Sequence, residues 1–200
     1  MGAYRVGDTG MTPLHQRVAD LFFPLADFYS SHDEKLPRIA QIPGESVPPP
    51  YHSLLVHEQD MTSTLESYWG TSLHIKVLDK HLENASLTRQ VVLLTDTEEQ
   101  PVEFGAIRIQ LDRFEDSARD EIVACHRPLG NLLLHFKMAF SCHPNAFFSF
   151  ESDEMIRHAF DLTEQHTLYG RHTILVNDVE ETLAEVVEIL PPLQNPKLPE

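Results

Sequence analysis

Three consecutive β-type segments in the middle of the chain constrain its fold more than any other feature. They read SLHIKVLDK (72–80), LTRQVVLLTD (87–96) and PVEFGAIRIQLDRF (101–114). The first and third alternate apolar and polar residues, as half-buried strands do, and the second is rich in β-branched and aliphatic residues. Because only short polar stretches join them, neighbouring strands are expected to pair antiparallel. The sequence therefore predicts one mostly antiparallel sheet.

The C-terminal half adds helices and a closing hairpin. Its segments read RPLGNLLLHFKMAF (127–140), SDEMIRHAF (152–160), TLYGRHTILV (167–176) and TLAEVVEIL (182–190). The first two predict helices, one with Pro128 in its first turn and one with Ser152 as its N-cap. The last two predict a hairpin that ends at Pro191. Together these elements predict the α+β class, with helices on one face of a single sheet.

The N-terminal quarter has a different character. Residues 12–31 predict a helix with Thr12 as its N-cap, Pro13 at the first helical position and a kink or an end near Pro24. Residues 35–51 contain five prolines, which indicates a linker or an extended wrap. We therefore expect an N-terminal helix and proline-rich segment (1–50), a folded domain (51–193) and a tail (194–200).

The charge balance limits the classes of partner. The chain carries 31 acidic and 15 basic side chains, a formal net charge of −16, which repels nucleic-acid phosphates and anionic lipid. No apolar run approaches the ~18 residues of a membrane span. We expect no nucleic-acid partner and no membrane association. A small anionic substrate stays compatible, because a buried pocket responds to its nearest charges. The chain is expected to act as a monomer or a homodimer.

The cysteine content indicates a reducing compartment, so we expect a cytoplasmic protein. Cys125 and Cys142 are too few for a disulfide framework. Each is followed by a histidine, and two such dipeptides supply soft ligands of the kind that bind zinc. Their spacing matches no compact zinc motif, and adjacent ligands rarely both reach one ion. We expect no metal and no other cofactor.

Arg89 is the residue that most needs an explanation. It lies between Leu87 and Val91 on one face of a strand that is otherwise apolar. A buried guanidinium needs an anion, which is either a carboxylate of the protein or one brought by a ligand. The other alternative is that the side chain extends to solvent. Glu185 and Glu188 are candidate carboxylates on the last strand, and their spacing places them on opposite faces.

Six motifs in order resemble the chorismate lyase family, most closely its uncharacterised relatives. They read DMTSTLE, LTRQVVLLTD, PVEFGAIRIQLDRF, HRPLG, LYGR and VVEILPP, and they extend over about Ser53 to Pro192. The resemblance implies an α+β fold in which a single antiparallel sheet and its helices enclose a buried ligand pocket. It does not cover the first fifty residues.

The resemblance also implies roles for individual residues. Arg89 would hold the carboxylate of the ligand, together with the main-chain amides of Met61 and Leu129 at two helix starts. Glu188, with Glu185 as the alternative, would face the ring hydroxyl and act in catalysis with Arg89. Arg171 would neutralise a second carboxylate, unless it is a surface residue that caps a turn.

One position departs from the family pattern. Ala106 stands where the characterised lyases carry an arginine directly after the glycine, and Arg108 follows two residues later on the same strand face. We therefore include Arg108 among the expected substrate-binding residues. The departure leaves open a related enzyme that uses another carboxylated substrate.

The activity implied by the resemblance is elimination of pyruvate from chorismate, or from a related cyclohexadiene carboxylate, to give a hydroxybenzoate. Such a reaction needs positioning rather than a cofactor. The alternative is a non-catalytic sensor of aromatic carboxylates, because the effector domains of GntR-type regulators share the lyase fold. The proline-rich N-terminal fifty residues are not basic and do not suit a helix-turn-helix.

Overall fold

Seven strands form one sheet in the computed structural model, which describes residues 19–193. The strands are β1 (Ala40–Ile42), β2 (Leu73–Glu83), β3 (Ser86–Thr95), β4 (Pro101–Gln110), β5 (Phe140–Glu151), β6 (Thr167–Asn177) and β7 (Thr182–Leu190). Their order across the sheet is β1-β5-β6-β7-β4-β3-β2, and every neighbouring pair is antiparallel. The predicted α+β class with a single antiparallel sheet is confirmed.

Two predicted sets of neighbours are present. The three central segments form β2, β3 and β4 in consecutive positions, with Val77 opposite Val91 and Val91 opposite Gly105. The closing hairpin joins β6 to β7, with Tyr169 opposite Leu190. Pairing β7 with β4 then connects the hairpin to the central strands. Local turns and alternation were sufficient to predict these pairs.

Six helices accompany the sheet in the described part of the chain. They are α1 (Leu25–Ser31), α2 (Tyr51–Leu55), α3 (Met61–Trp69), α4 (Asp116–Ala124), α5 (Leu129–His135) and α6 (Glu154–Ala159), with short 3₁₀ turns at Gly44–Ser46 and Leu111–Arg113. No helix among these residues has both the length and the apolar composition that a membrane span requires.

The helix boundaries differ from prediction in two places. α5 ends at His135, whereas the helix was predicted to continue to Phe140. The N-cap of α6 is Asp153 rather than Ser152, since the Asp153 carboxylate accepts a hydrogen bond from the Ile156 N–H at 3.0 Å. Residues 19–21 are helical, a turn follows, and α1 begins after Pro24, as the predicted break requires. Thr12 and Pro13 lie outside the described residues.

Strand β5 was not predicted, although it is the longest strand. It begins within a run of apolar residues that continues the pattern of α5, and Pro144 interrupts it at a bulge. Strand β1 was also missed, because it lies inside the proline-rich segment. It adds an edge to β5, with Ala40 opposite Ser149. Part of residues 1–50 therefore belongs to the sheet.

Helices cover both faces of the sheet, which corrects the expectation of one face. Helices α2 to α5 cover the face that we call the pocket face, which carries Ile107 and Val186. Helices α1 and α6 cover the back face, where they pack on Phe104, Phe148 and Val187. The physical reason is that the back face is also apolar, and leaving it in water would forfeit its hydrophobic stabilisation.

Gly105 permits the close approach of β4 and β7 beside the pocket. It lies opposite Glu188 in the ladder. A β-carbon at position 105 would overlap the neighbouring strand, because it would lie 2.2 Å from the Val187 carbonyl oxygen. The strand cannot move away without breaking the pairing that positions Glu188. The glycine is therefore required by the geometry of the sheet.

We predict that Gly105→Ala destabilises the fold by about 3 kcal/mol or more, because the new methyl group overlaps backbone atoms. The matched control is Gly70→Ala, where φ is +67° and no atom lies within 4 Å of the added β-carbon. That change should cost about 1–2 kcal/mol, the cost of the left-handed backbone alone. Urea unfolding measures both free energies. Equal losses would contradict the required close approach.

Candidate functional site

A small cavity lies between the pocket face of the sheet and the first residues of α3 and α5. Its volume is about 60 Å³. Its polar lining includes Arg89, Glu103, Arg171 and Glu188, and its walls are otherwise largely apolar. Five of the predicted site residues, Met61, Arg89, Leu129, Arg171 and Glu188, contribute to this lining. The structure therefore brings together most of the predicted site.

Arg89 is buried, and two of its nitrogens have no hydrogen-bond partner among residues 19–193. Its side chain is 2% exposed, and Nη2 donates to the Arg127 carbonyl oxygen at a long 3.4 Å. Nε and Nη1 are enclosed and unpartnered. No ion pair within residues 19–193 includes Arg89. Both alternatives to a ligand role, a salt bridge with a glutamate and extension to solvent, are therefore absent from the described structure.

Burial lowers the pKa of Arg89 from its ordinary value, and the Cys125 side chain beside it acts in the opposite direction. Arginine begins from a pKa so far above neutral that the guanidinium stays charged in proteins. Arg89 is therefore a cation in an apolar pocket, and an uncompensated buried charge is costly. An anion that reached Nε and Nη1 would relieve that cost.

Arg171 and Glu188 form the buried ion pair of the site. Arg171 Nε donates to Glu188 Oε2 at 2.5 Å, and Thr173 Oγ1 donates to the same oxygen at 3.2 Å. Arg171 is 0% exposed, so it is not the surface residue that was one of its two predicted roles. Its guanidinium already forms an ion pair with Glu188. The second predicted role, neutralising a carboxylate of the ligand, stays a prediction.

The rest of the Arg171 guanidinium holds the loop between α2 and α3. Nη1 donates to the carbonyl oxygens of Leu55 and His57 at 3.2 and 3.0 Å, and Nη2 donates to that of Gln59 at 3.3 Å. Burial and the nearby Arg171 charge lower the pKa of His57, so its ring is neutral. One ion pair therefore fixes both the Glu188 carboxylate and the loop that leads to α3.

Two helix starts complete the pocket. Met61 is the first residue of α3 and Leu129 the first of α5, and the first N–H groups of a helix have no intrahelical partner. Gly130 allows the two starts to meet, because a β-carbon there would lie 2.8 Å from Asp60 Oδ1. The three parts of the predicted carboxylate site, Arg89 and these two starts, are thus adjacent to one cavity. Their action on a ligand stays a prediction.

Arg108 and Glu185 lie on the back face. The Arg108 guanidinium is 5.5 Å from the centre of the Phe23 ring and does not line the cavity. The expected substrate-binding role of Arg108 is therefore wrong, because alternation along β4 turns it to the face opposite Ile107. Glu185 is paired across the ladder with Arg108, on that same back face. Of the two candidate carboxylates on β7, only Glu188 reaches the pocket.

Glu103 is a pocket residue that the sequence analysis did not identify. It is 5% exposed, and Oε2 is buried without a partner. Burial raises the pKa of Glu103 well above its ordinary value, the Glu188 carboxylate raises it further, and Arg171 lowers it in part. Burial and the neighbouring Glu188 carboxylate thus favour the protonated, uncharged form of Glu103. The signal in the sequence was alternation along β4, which places Glu103 on the same strand face as Gly105 and Ile107.

The cysteines are buried thiols. Burial, followed by the charge of Glu188, raises the pKa of Cys142 to about 12, so the Cys142 thiol is protonated in the pocket wall. Cys125 is also buried and free. Within residues 19–193 no three His, Cys, Asp or Glu side chains are grouped as they would be around a metal ion.

Comparison with known proteins identifies the fold. No protein-family model matches the sequence, and no curated protein matches it. PhnF from Mycobacterium smegmatis matches with a TM-score of 0.52 at 10% identity, over 68% of this chain and 65% of that chain. The chain thus matches less than two thirds of the length of PhnF.

The isolated effector domain of PhnF matches with a TM-score of 0.50 at 10% identity, over 66% of this chain and 87% of that domain. A GntR-family transcriptional regulator from Bacillus cereus matches with a TM-score of 0.43 at 7% identity, over 64% of this chain and 99% of that chain. The last score is too low to support a comparison of folds. The two PhnF structures show that the chain has the fold of the PhnF effector domain.

We predict that Arg171→Met destabilises the protein by about 3–5 kcal/mol, because it leaves the Glu188 carboxylate buried without its partner. The double variant Arg171→Met, Glu188→Leu should recover much of that loss. The control is Arg113→Met, which breaks an exposed pair with Glu181 (2.8 Å) and should cost at most about 1 kcal/mol. Chemical denaturation measures all three. A loss at Arg171 no larger than that at Arg113 would refute the structural role of the pair.

Proposed function

We propose that this chain binds a small carboxylate in the buried pocket, as the ligand-binding domain of a sensor. The observation that carries the proposal is the Arg89 guanidinium, which is enclosed, charged and unpartnered at Nε and Nη1. The two helix starts at Met61 and Leu129 supply unpaired N–H groups at the same cavity. Arg89 is thus a cation in largely apolar surroundings, to which a carboxylate is the natural counterpart.

The second arginine of the pocket, Arg171, differs from Arg89 in its hydrogen bonds. Arg171 is as deeply buried as Arg89, yet all three of its nitrogens have acceptors within the protein. The fold therefore has acceptors to satisfy a buried guanidinium where the role is structural. Arg89, in contrast, donates one long hydrogen bond, to the Arg127 carbonyl oxygen. The unsatisfied groups of Arg89 are best explained by an acceptor that arrives from outside.

The shared fold supports the sensor class by analogy. The effector domain of PhnF has the same architecture. Its name states that this domain is the part of PhnF that responds to an effector. Fold likeness alone does not carry function, so the analogy ranks candidate functions and does not establish one. The pocket chemistry is what selects a carboxylate.

The size of the cavity indicates that it opens to admit a ring-sized ligand. Its volume of about 60 Å³ is less than half of the about 150 Å³ of an engineered cavity that holds benzene. A hydroxybenzoate therefore requires the starts of α3 and α5 to move apart. Such closure around a ligand would remove water from Arg89 and strengthen its pairing with the carboxylate.

We predict that Arg89→Lys weakens binding of 4-hydroxybenzoate by about 1.5–3 kcal/mol, because lysine keeps the charge but loses the planar donor geometry. Arg108→Lys is the matched control, since Arg108 lies on the back face, and it should leave affinity unchanged. Isothermal titration calorimetry measures both. If Arg89→Lys binds as tightly as the wild type while its melting temperature falls, Arg89 is a structural residue.

A second candidate is cofactor-free elimination of pyruvate from chorismate. The observation that favours it is the presence of the Glu188 carboxylate in the same cavity as Arg89. In this reaction the enolpyruvyl ether bond breaks and the ring loses a proton. The ring becomes a hydroxybenzoate, and the side chain leaves as enolpyruvate, which takes up a proton at its methylene carbon to become pyruvate. The solved structures that share the fold are those of PhnF and its effector domain, so this candidate depends on the pocket residues and the motif resemblance.

The test is to incubate the protein with chorismate and to measure pyruvate and 4-hydroxybenzoate together. If the protein is a lyase, Glu188→Gln should lower turnover by about two to four orders of magnitude, the range of a positioned acid–base group. Glu185→Gln, on the back face, should leave turnover unchanged. Absence of both products at high protein concentration would exclude a chorismate lyase and leave the sensor or an enzyme that uses another carboxylated substrate.

A further inference from the structure

The pocket has two polar ends along the strand direction. Arg89 lies opposite Ile107 in the β3–β4 ladder, and Glu103 lies four residues before Ile107 on β4. At about 3.4 Å per residue, the two levels are about 13 Å apart along the strands. Both side chains line the cavity and both have unpartnered polar atoms. Arg89 and Glu103 therefore contribute polar groups to one cavity from two different levels of the sheet.

The stretch between these two levels is lined by apolar residues from β3 and by one carboxylate from β7. Gly105 lies between the two levels on β4 and places no side chain in the pocket. Val91 and Leu93 line the same stretch from β3. Glu188 lies at the level of Gly105, on the neighbouring strand β7. A ligand that reached both ends would pass over Gly105 with its apolar part against these side chains.

The buried charges leave one unbalanced cation. Arg171 and Glu188 neutralise each other as an ion pair. The half-buried Asp60 carboxylate caps α3 by accepting from the Ser63 N–H, so the partial positive charge of the helix start offsets it. Glu103 is enclosed beside the Glu188 carboxylate, and both burial and that charge raise its pKa and favour its uncharged form. The Arg89 guanidinium is thus the positive charge that a ligand can neutralise. A ligand with a single negative charge would balance it.

We propose that the pocket selects monocarboxylates that carry an uncharged hydrogen-bonding group, such as a hydroxyl, at the end remote from the carboxylate, and that Glu103 is the specificity-determining residue that binds this group. The inference rests on the proposed carboxylate-binding function and names its ligand class. A neutral carboxylic acid both donates and accepts, as a hydroxyl does, so the two groups are matched partners. A second anion at this end would instead face Glu188.

The test uses three probes on one ring: benzoate, 4-hydroxybenzoate and terephthalate, titrated by calorimetry into the full chain. The wild type should bind 4-hydroxybenzoate about tenfold more tightly than benzoate, the scale of one hydrogen bond in a buried site. Terephthalate should bind more weakly than benzoate. Glu103→Met should reduce 4-hydroxybenzoate to the affinity of benzoate and leave benzoate unchanged, and Glu103→Gln should retain the preference.

The outcomes separate this inference from the function on which it rests. If benzoate and 4-hydroxybenzoate bind equally, or terephthalate binds most tightly, the role of Glu103 is wrong while carboxylate binding stands. If none of the three probes binds, the carboxylate-binding function is overturned, and this inference with it. If Glu103→Met fails to fold, the relative affinities of the three probes for the wild type and for Glu103→Gln still test the role of Glu103.

A second readout does not depend on any ligand. Since the folded pKa of Glu103 is raised, the unfolded chain gives up this proton first, and the folded state loses stability as pH rises above about 4.5. Glu103→Gln has no such proton, so its melting temperature should match the wild type near pH 4 and exceed it increasingly towards pH 8. A constant difference over this range would show that Glu103 is not held neutral. The groups near Glu103 are Glu188, Arg171 and Cys142, with Asp60 and Arg89 further along the cavity.

Discussion

The buried ion pair of Arg171 and Glu188 is the interaction on which the rest of the site depends. Either charge alone would be costly away from water, so β6 and β7 must keep the register that places them opposite each other. The same guanidinium binds three carbonyls of the loop 55–59 and so fixes the approach to α3. One side chain thereby connects the sheet, the pocket carboxylate and a wall of the cavity.

The ion pair also determines what the other polar groups of the pocket can be. Because Glu188 keeps its negative charge beside Arg171, the neighbouring Glu103 is disfavoured as a second anion and holds its proton. Because Arg171 is fully occupied, Arg89 is the cation of the pocket with free donors. A structural pair, an acid that favours its protonated form and a cation without a carboxylate partner thus arise from four ionisable residues.

Short-range patterns were sufficient for much of the fold and for part of the site. Alternation and polar turns predicted β2, β3, β4 and the closing hairpin, since each pairing partner is adjacent in the sequence. The same period of two predicted that Glu185 and Glu188 lie on opposite faces. It failed where the pattern was ambiguous: β5 begins in an apolar run that also suits a helix, and Arg108 was assigned to the pocket although its face could not be known from one strand.

The sequence by itself determined that Arg89 shares one face of an antiparallel strand with Leu87 and Val91, because side chains alternate along a strand. Only the tertiary structure decided that this charge stays unpaired while Arg171, on a strand far along the chain, takes the available carboxylate. The neutral state of Glu103 was likewise decided there. The physical reason is that charge pairing and desolvation depend on distances between strands, which are set by register and packing over the whole sheet.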